Sequence, residues 1–232
     1  MSRSTPDASR PLRRPITLPF ALGLLAATLV GAPAALAADH KITIKGEVMS
    51  TDMLSYRLSL PAPDWGDGLT GARAVQEAVA TRTVQDNTDL LSFVSPGQGA
   101  GQWTHRYAVL ALKAPNAMGQ HVLGTLNDIR QACAPDTLSL QTTKATATGQ
   151  PDLTLLLCGR FLEGSVPAAL NGEGEVMLVV VAGDKDEAAK VWEEWRGPAF
   201  DIGNPATWPV GEKQLTKRGV ALQSTVTFGK LP

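Results

Sequence analysis

Residue types that often carry chemistry are scarce in this 232-residue chain. Two cysteines and three histidines leave little material for a metal cluster or a Cys–His catalytic pair. The chain has no H-E-x-x-H, G-x-S-x-G or S-x-x-K motif, so these signatures of metalloproteases and serine enzymes are missing. Basic and acidic residues nearly balance, 21 against 22, which gives no electrostatic reason to expect nucleic acid as a partner.

Residues 1–37 have the layout of a secretory signal peptide. Four arginines lie in the first 14 residues, Ile16 to Val30 is mostly apolar, and Ala35–Ala37 fits an A-x-A cleavage site. The apolar stretch is short for a membrane span, and no later stretch is long enough for one. We therefore predict that residues 1–37 are a signal peptide and that residues 38–232 form a single exported domain, periplasmic or secreted. Removing the leader leaves 17 basic and 21 acidic residues, a net charge of −4.

A strand followed by a helix is predicted between Gly174 and Phe200. Val176 to Ala182 is an unbroken, valine-rich apolar run, as in a strand buried on both faces. Asp184 has a glutamate three residues further on, which is the spacing of a helix capping box. The glycine and proline at 197–198 would end that helix.

This predicted helix would place its tryptophans in the core. Its apolar residues recur at the spacing of one helical face: Ala188, Val191, Trp192 and Trp195. We predict that both tryptophans pack on the sheet rather than stack on a ligand. Glu193 and Glu194 would then cover the solvent-exposed face of the helix instead of serving as an acid and a base.

A second helix is predicted to be tied to the sheet by a disulfide. Asn116 would cap a helix over Ala117–Ala132, and this helix has an apolar stripe of Met118, Val122, Leu126, Ile129 and Cys133. Cys158 falls in a strand predicted over Leu153–Phe161. An even cysteine count in an exported chain favours a Cys133–Cys158 bridge over a redox or zinc pair, since no C-x-x-C motif or further ligand is suitably spaced.

The remaining stretches favour strands. Alternating or β-branched runs predict them at Lys41–Val48, Tyr56–Leu60, Leu90–Val94, Thr137–Thr148 and Val220–Phe228. Trp103–Leu112 is compatible with a strand or a helix. Ala72–Thr83 is also compatible with either, with a strand preferred after Val79. This order of elements predicts an α+β fold, a mostly antiparallel sheet with helices packed on it.

Several short motifs resemble those of small exported bacterial proteins of unknown function. They are Tyr56–Pro61, Leu91–Gly97, Trp103–Thr104 and Trp195–Phe200. The chain departs from the pattern where Ser95 precedes Pro96. The layout is similar to the α/β/α sandwich of PsbP-type proteins of photosystem II. The resemblance implies a fold and an exported compartment, and it supplies no catalytic residues.

Two classes of function remain open. The first is a non-enzymatic binding or assembly protein with a protein or small-molecule partner, which fits the missing catalytic motifs. The second is an exported hydrolase whose site forms only in three dimensions around His105. The two differ in whether His105 reaches a carboxylate and a hydroxyl in a cleft.

The mature N-terminus is a candidate metal site, while no cofactor is predicted for the domain itself. Cleavage after Ala37 would leave a chain that begins Ala38-Asp39-His40. The terminal amine, two backbone amides and the imidazole can then bind Cu(II) or Ni(II) in a square plane. Cleavage after Ala38 instead would remove this site.

Overall fold

The computed structural model describes residues 42–99 and 101–231, so the predicted leader and the Ala38–His40 site lie outside the described residues. The strands are β1 (Thr43–Lys45), β2 (Val48–Met53), β3 (Tyr56–Pro61), β4 (Val79–Gln85), β5 (Thr88–Val94), β6 (His105–Lys113), β7 (Leu138–Thr143), β8 (Leu153–Cys158), β9 (Glu173–Gly183), β10 (Glu187–Pro198) and β11 (Thr227–Lys230). The α-helices are α1 (Gly71–Glu77), α2 (Pro115–Ala132) and α3 (Glu212–Thr225).

The strands form two antiparallel sheets. The larger has seven strands in the order β4-β5-β6-β10-β9-β8-β7, and the smaller has four in the order β1-β2-β3-β11. Every strand pair is antiparallel. Mixed helix and mostly antiparallel sheet confirm the α+β class.

Two hydrophobic clusters lie on opposite faces of the seven-stranded sheet. On the inner face, odd-numbered β10 residues such as Val191 pack in one cluster with Met49 and Leu58 of the smaller sheet and Leu222 of α3. On the outer face, even-numbered residues such as Trp192 form a second cluster, onto which α2 packs. The central strands are therefore covered on both sides, which explains their long apolar runs.

The helix predicted after Asp184 was wrong, because residues 187–198 form strand β10. Asp184 does cap a chain reversal, but its Oδ1 accepts hydrogen bonds from the backbone N–H groups of Asp186 and Glu187 in a hairpin turn. Short polar side chains favour such turns as readily as helix starts. β10 then pairs with β9 and β6 along its length, and these contacts override the helical spacing of its apolar residues.

The tryptophans are core residues, as predicted, although on different faces. Trp192 is 7% exposed in the outer cluster and Trp195 is 3% exposed in the inner cluster. Three residues of separation place side chains together on a helix and apart on a strand. The prediction for Glu193 and Glu194 was wrong for the same reason, since both are buried in the sheet.

The end of the chain also differs from its prediction. Residues 212–225 form α3, and the strand begins only at Thr227. The buried residues of α3 have helical spacing: Leu215, Arg218, Gly219 and Leu222. Because this stripe contains an arginine and a glycine, the hydropathy pattern of the sequence does not show it as an apolar helix face. A Cβ at Gly219 would lie 2.9 Å from Leu153 Cδ2, so a larger residue there would push the end of this leucine side chain aside.

Other predictions agree with the structure. The 72–83 stretch is helical to Glu77 and a strand from Val79, while Trp103–Leu112 resolves as strand β6. The predicted second helix is α2, although it begins at Pro115 with Ala114 as its N-terminal cap instead of Asn116. Cys133 and Cys158 form a disulfide with their Cα atoms 5.7 Å apart. None of the helices within residues 42–99 and 101–231 combines the length and apolarity needed to cross a membrane.

The disulfide should contribute strongly to stability. It closes a loop of 25 residues, for which the chain-entropy relation gives ~3.5 kcal/mol. We expect the Cys133→Ala/Cys158→Ala variant to lose free energy of unfolding of this order in urea titrations. Reduction of the wild-type protein should lower its free energy of unfolding by a similar amount. Reduction of the variant, which has no disulfide, should cause no further loss. Equal stability of the oxidised and reduced wild-type protein would contradict this.

Candidate functional site

His105 belongs to a buried ion-pair network on the inner face. Its Nε2 lies 2.8 Å from Glu193 Oε1, and the Arg218 Nε–H donates to Glu193 Oε2 at 2.7 Å. The Arg218 Nη1–H also donates to the carbonyl of Ala62. β6, β10 and α3 each supply one charged or titratable group. The network therefore ties helix α3 to the centre of the large sheet.

Glu193 is held in its charged form. Burial by itself would raise its pKa, but the Arg218 charge and the His105 hydrogen bond lower the pKa below the ordinary value. The imidazole of His105 packs between Trp65 and Trp195, with ring centroids 4.7 and 4.9 Å away. It is 7% exposed, which leaves little room for a substrate to approach.

The structure gives His105 a carboxylate, and among the described residues no hydroxyl partner is recorded for its ring. The Tyr107 side chain lies beside the network, since Tyr107 is the cross-strand neighbour of Glu193 and the Arg218 Cζ lies 5.7 Å from its ring centroid. Its buried hydroxyl makes no hydrogen bond with the described residues. Burial strongly raises the pKa of this hydroxyl, so it stays protonated and is a poor nucleophile. His105 therefore has the carboxylate partner that the hydrolase hypothesis requires, but not the hydroxyl partner.

Removing the charge of Glu193 should destabilise the fold. Glu193→Gln would leave the buried Arg218 guanidinium uncompensated, a change that typically costs about 3–5 kcal/mol. The exposed Glu163 offers the control, because Glu163→Gln should alter the free energy of unfolding by less than about 0.5 kcal/mol. Urea titration followed by tryptophan fluorescence measures both. Similar stabilities for the two variants would show that the network contributes little.

The outer face carries a second set of buried charges, and two cross-strand pairs neutralise most of them. Arg106 donates to Glu194 at 2.5 Å, and Arg196 donates to Glu175 at 2.5 Å. The Trp103 ring contacts both guanidinium groups, whose Cζ atoms lie 4.4 and 3.7 Å from its centroid. Burial and the neighbouring Glu194 raise the pKa of Glu175. These pairs join β6, β9 and β10.

Among the residues that the structure describes, Lys190 is the buried cation of this face that lacks such a pair. It is 4% exposed, and no carboxylate of the described residues lies within salt-bridge distance of its Nζ. The Nζ lies 4.1 Å from the Trp192 ring centroid and donates to Thr125 Oγ1 of α2 at 3.3 Å. Burial lowers the Lys190 pKa to about 8; Glu194 opposes this shift and Arg106 adds to it.

A groove of about 310 Å³, the α2 groove, lies between helix α2 and the outer face. It is lined by Val122, Leu126, Thr142, Asp152, Thr154, Val179 and Val181. Lys190 is the direct cross-strand neighbour of Val181. The Lys190 side chain therefore lies beside the groove, between the sheet and the helix.

A wider cavity of about 490 Å³ lies where several strand connections meet. It is lined by Ser55, Tyr56, Asn87, Lys113, Ala114, Lys185, Asp186, Glu187 and Lys230. A hydrogen bond to Asp184 raises the pKa of Tyr56 to about 12. The mixture of three lysines and two acids favours no single ligand charge.

The other sequence candidates do not gather into a site. His121 lies on α2, and burial together with the charge of Lys190 lowers its pKa. Within the part of the chain that the structure describes, no group of three histidine, cysteine or acidic residues is placed to hold a metal. Copper or nickel at Ala38–His40 stays a prediction.

The chain matches no protein-family model and no curated protein. The groove and the buried charges beside it are therefore the basis for a function.

Lys190 was not identified as a candidate from the sequence. A usable signal was present, since a lysine inside the apolar stretch Ala188–Trp192 is unusual in a strand buried on both faces.

The burial of Lys190 predicts an alkaline rise in stability. Unfolded lysine has a pKa near 10.4, so between about pH 8 and 10 the unfolded chain binds more protons than the native one. The free energy of unfolding should therefore rise with pH in this window, by roughly 2–3 kcal/mol. Lys190→Met should lack this rise, whereas Lys185→Met, at an exposed position, should keep it. Urea titrations at pH 7.5 and 9.5 measure the difference below the pH at which the two tyrosines with raised pKa, Tyr56 and Tyr107, ionise in the unfolded chain. Equal pH slopes in wild type and Lys190→Met would contradict the prediction.

Proposed function

We propose that this chain is an exported, non-enzymatic binding protein that holds a small ligand in the α2 groove. The proposal rests on the incomplete packing of helix α2 against the sheet. Of the α2 side chains that the structure describes, none is fully buried, and Leu123 is 67% exposed. The helix thus spans the outer face while leaving an apolar groove of about 310 Å³ beneath it, within the size range of small-molecule sites.

The inner-face network favours binding over hydrolysis. Glu193 is already bonded to Arg218 as well as to His105, and the imidazole is enclosed by two tryptophans. A general base needs access to the proton it removes, and His105 lines neither of the two cavities described above. These contacts suit a structural histidine better than a catalytic one.

The exported location and the PsbP-like sandwich belong to the same proposal. The Cys133–Cys158 disulfide supports maturation in an oxidising compartment such as the periplasm. α2 on one face and α3 with the small sheet on the other are compatible with a layered sandwich. In this proposal residues 1–37 are the leader, and residues 38–232 bind a partner rather than transform it.

Filling the groove tests the function. Val181→Phe should place a ring in the α2 groove, while Val84→Phe adds the same ring at a position that is 62% exposed. Each protein would be purified from a periplasmic fraction, and its bound small molecules extracted and identified by mass spectrometry. We expect wild type and Val84→Phe to carry a stoichiometric ligand that Val181→Phe lacks.

Two results would contradict the proposal. One is the same extracted material from all three proteins, or none from any of them. The other is turnover of simple ester, amide or phosphoester substrates by the mature protein that His105→Gln abolishes. The second result would establish the hydrolase alternative.

A further inference from the structure

We propose that the ligand of the α2 groove is an aliphatic monocarboxylate, with its carboxylate bound by Lys190 and its chain on the apolar lining. This rests on the proposed binding function and specifies its ligand class.

Among the described residues, the buried charges of the outer face are one anion short of balance. Arg106 is paired with Glu194 and Arg196 with Glu175, whereas Lys190 has no carboxylate within salt-bridge distance among the described residues. Its contacts are the Thr125 hydroxyl and the Trp192 ring, and neither supplies a formal negative charge. A buried ammonium is costly unless it is paired, so a ligand anion would gain a strong, water-excluded partner here.

Lys190 lies next to the groove. It pairs across the sheet with Val181, a lining residue, and such neighbours have Cβ atoms about 5 Å apart. Its Nζ donates a hydrogen bond to the hydroxyl of Thr125, which lies on α2 between the lining residues Val122 and Leu126. Lys190 and Thr125 do not line the groove themselves, so the ammonium lies directly behind the lining, where helix and sheet meet. In this proposal the Lys190 side chain turns toward the groove when a ligand binds.

The rest of the lining selects an apolar chain. Four of its seven residues are valine or leucine, and Thr142 and Thr154 lie 3.3 Å apart through their hydroxyls. Asp152 also lines the groove, on the side of β9 away from Lys190, and its carboxylate is already bonded to Lys144 and to the backbone N–H of Ala145. An anion at Lys190 therefore avoids this acid, and an apolar chain finds four aliphatic side chains to cover it.

Titration calorimetry with three ten-carbon probes tests the head group. Decanoate, decan-1-ol and decylamine share the chain and differ in charge, and each would be used below its aggregation concentration. We expect wild type and Lys185→Met to bind decanoate roughly tenfold or more tightly than decanol, and decylamine least. Lys190→Met, which keeps the volume and removes the charge, should lose this preference and bind decanoate no better than decanol.

The pH dependence of decanoate affinity separates a role of the Lys190 charge from a role of its packing. Binding of a carboxylate requires charged Lys190, so decanoate affinity should fall between pH 7 and 9.5 in wild type, while decanol affinity should stay constant. The pH effect should vanish in Lys190→Met.

Three outcomes would overturn the inference: equal decanoate affinity in wild type and Lys190→Met, no preference for decanoate over decanol, or a dimer that Val181→Phe converts to a monomer. In the second case a groove ligand removed by Val181→Phe would still support the proposed function. In the third the groove would belong to a second copy of the chain.

Discussion

Strand β10 is buried without interruption from Glu187 to Trp195, and the rest of the domain is arranged to satisfy that burial. Four of these residues are charged: Glu187, Lys190, Glu193 and Glu194. Taking each charge out of water costs several kcal/mol unless a partner is supplied. Most of the elements that pack against β10 also supply a partner for one of its buried charges. The same contacts therefore provide both the packing and the charge pairing of this strand.

The two faces meet this constraint differently. On the inner face, Glu193 is shared by His105 and Arg218, which fixes α3 against the sheet. On the outer face, Glu194 and Glu175 are paired with arginines on adjacent strands, directly opposite in register. Lys190 instead points to helix α2 and a hydroxyl. The asymmetry singles out the outer face as the place where a ligand would improve the charge balance.

Helix α2 connects stability with the proposed function. It follows β6 directly, and the disulfide at its far end ties Cys133 to β8. Between these two anchors its described side chains are only partly buried. A helix held at both ends can span a groove without filling it, and the covalent tie offsets the limited packing beneath the middle of the helix.

The sequence by itself determined the elements whose signals are local. The valine run of β9, the apolar stripe of α2, the change from helix to strand near Val79 and the pairing of Cys133 with Cys158 were all predictable from residue type and spacing. Tertiary structure alone decided β10 and α3. The spacing of Ala188, Val191, Trp192 and Trp195 fits a helix, and only pairing with β6 and β9 makes this segment a strand. The same pairing decided the candidate site. A lysine within an apolar stretch is visible in the sequence, but which charged residues are paired, and which one is left without a carboxylate, depends on the cross-strand neighbours.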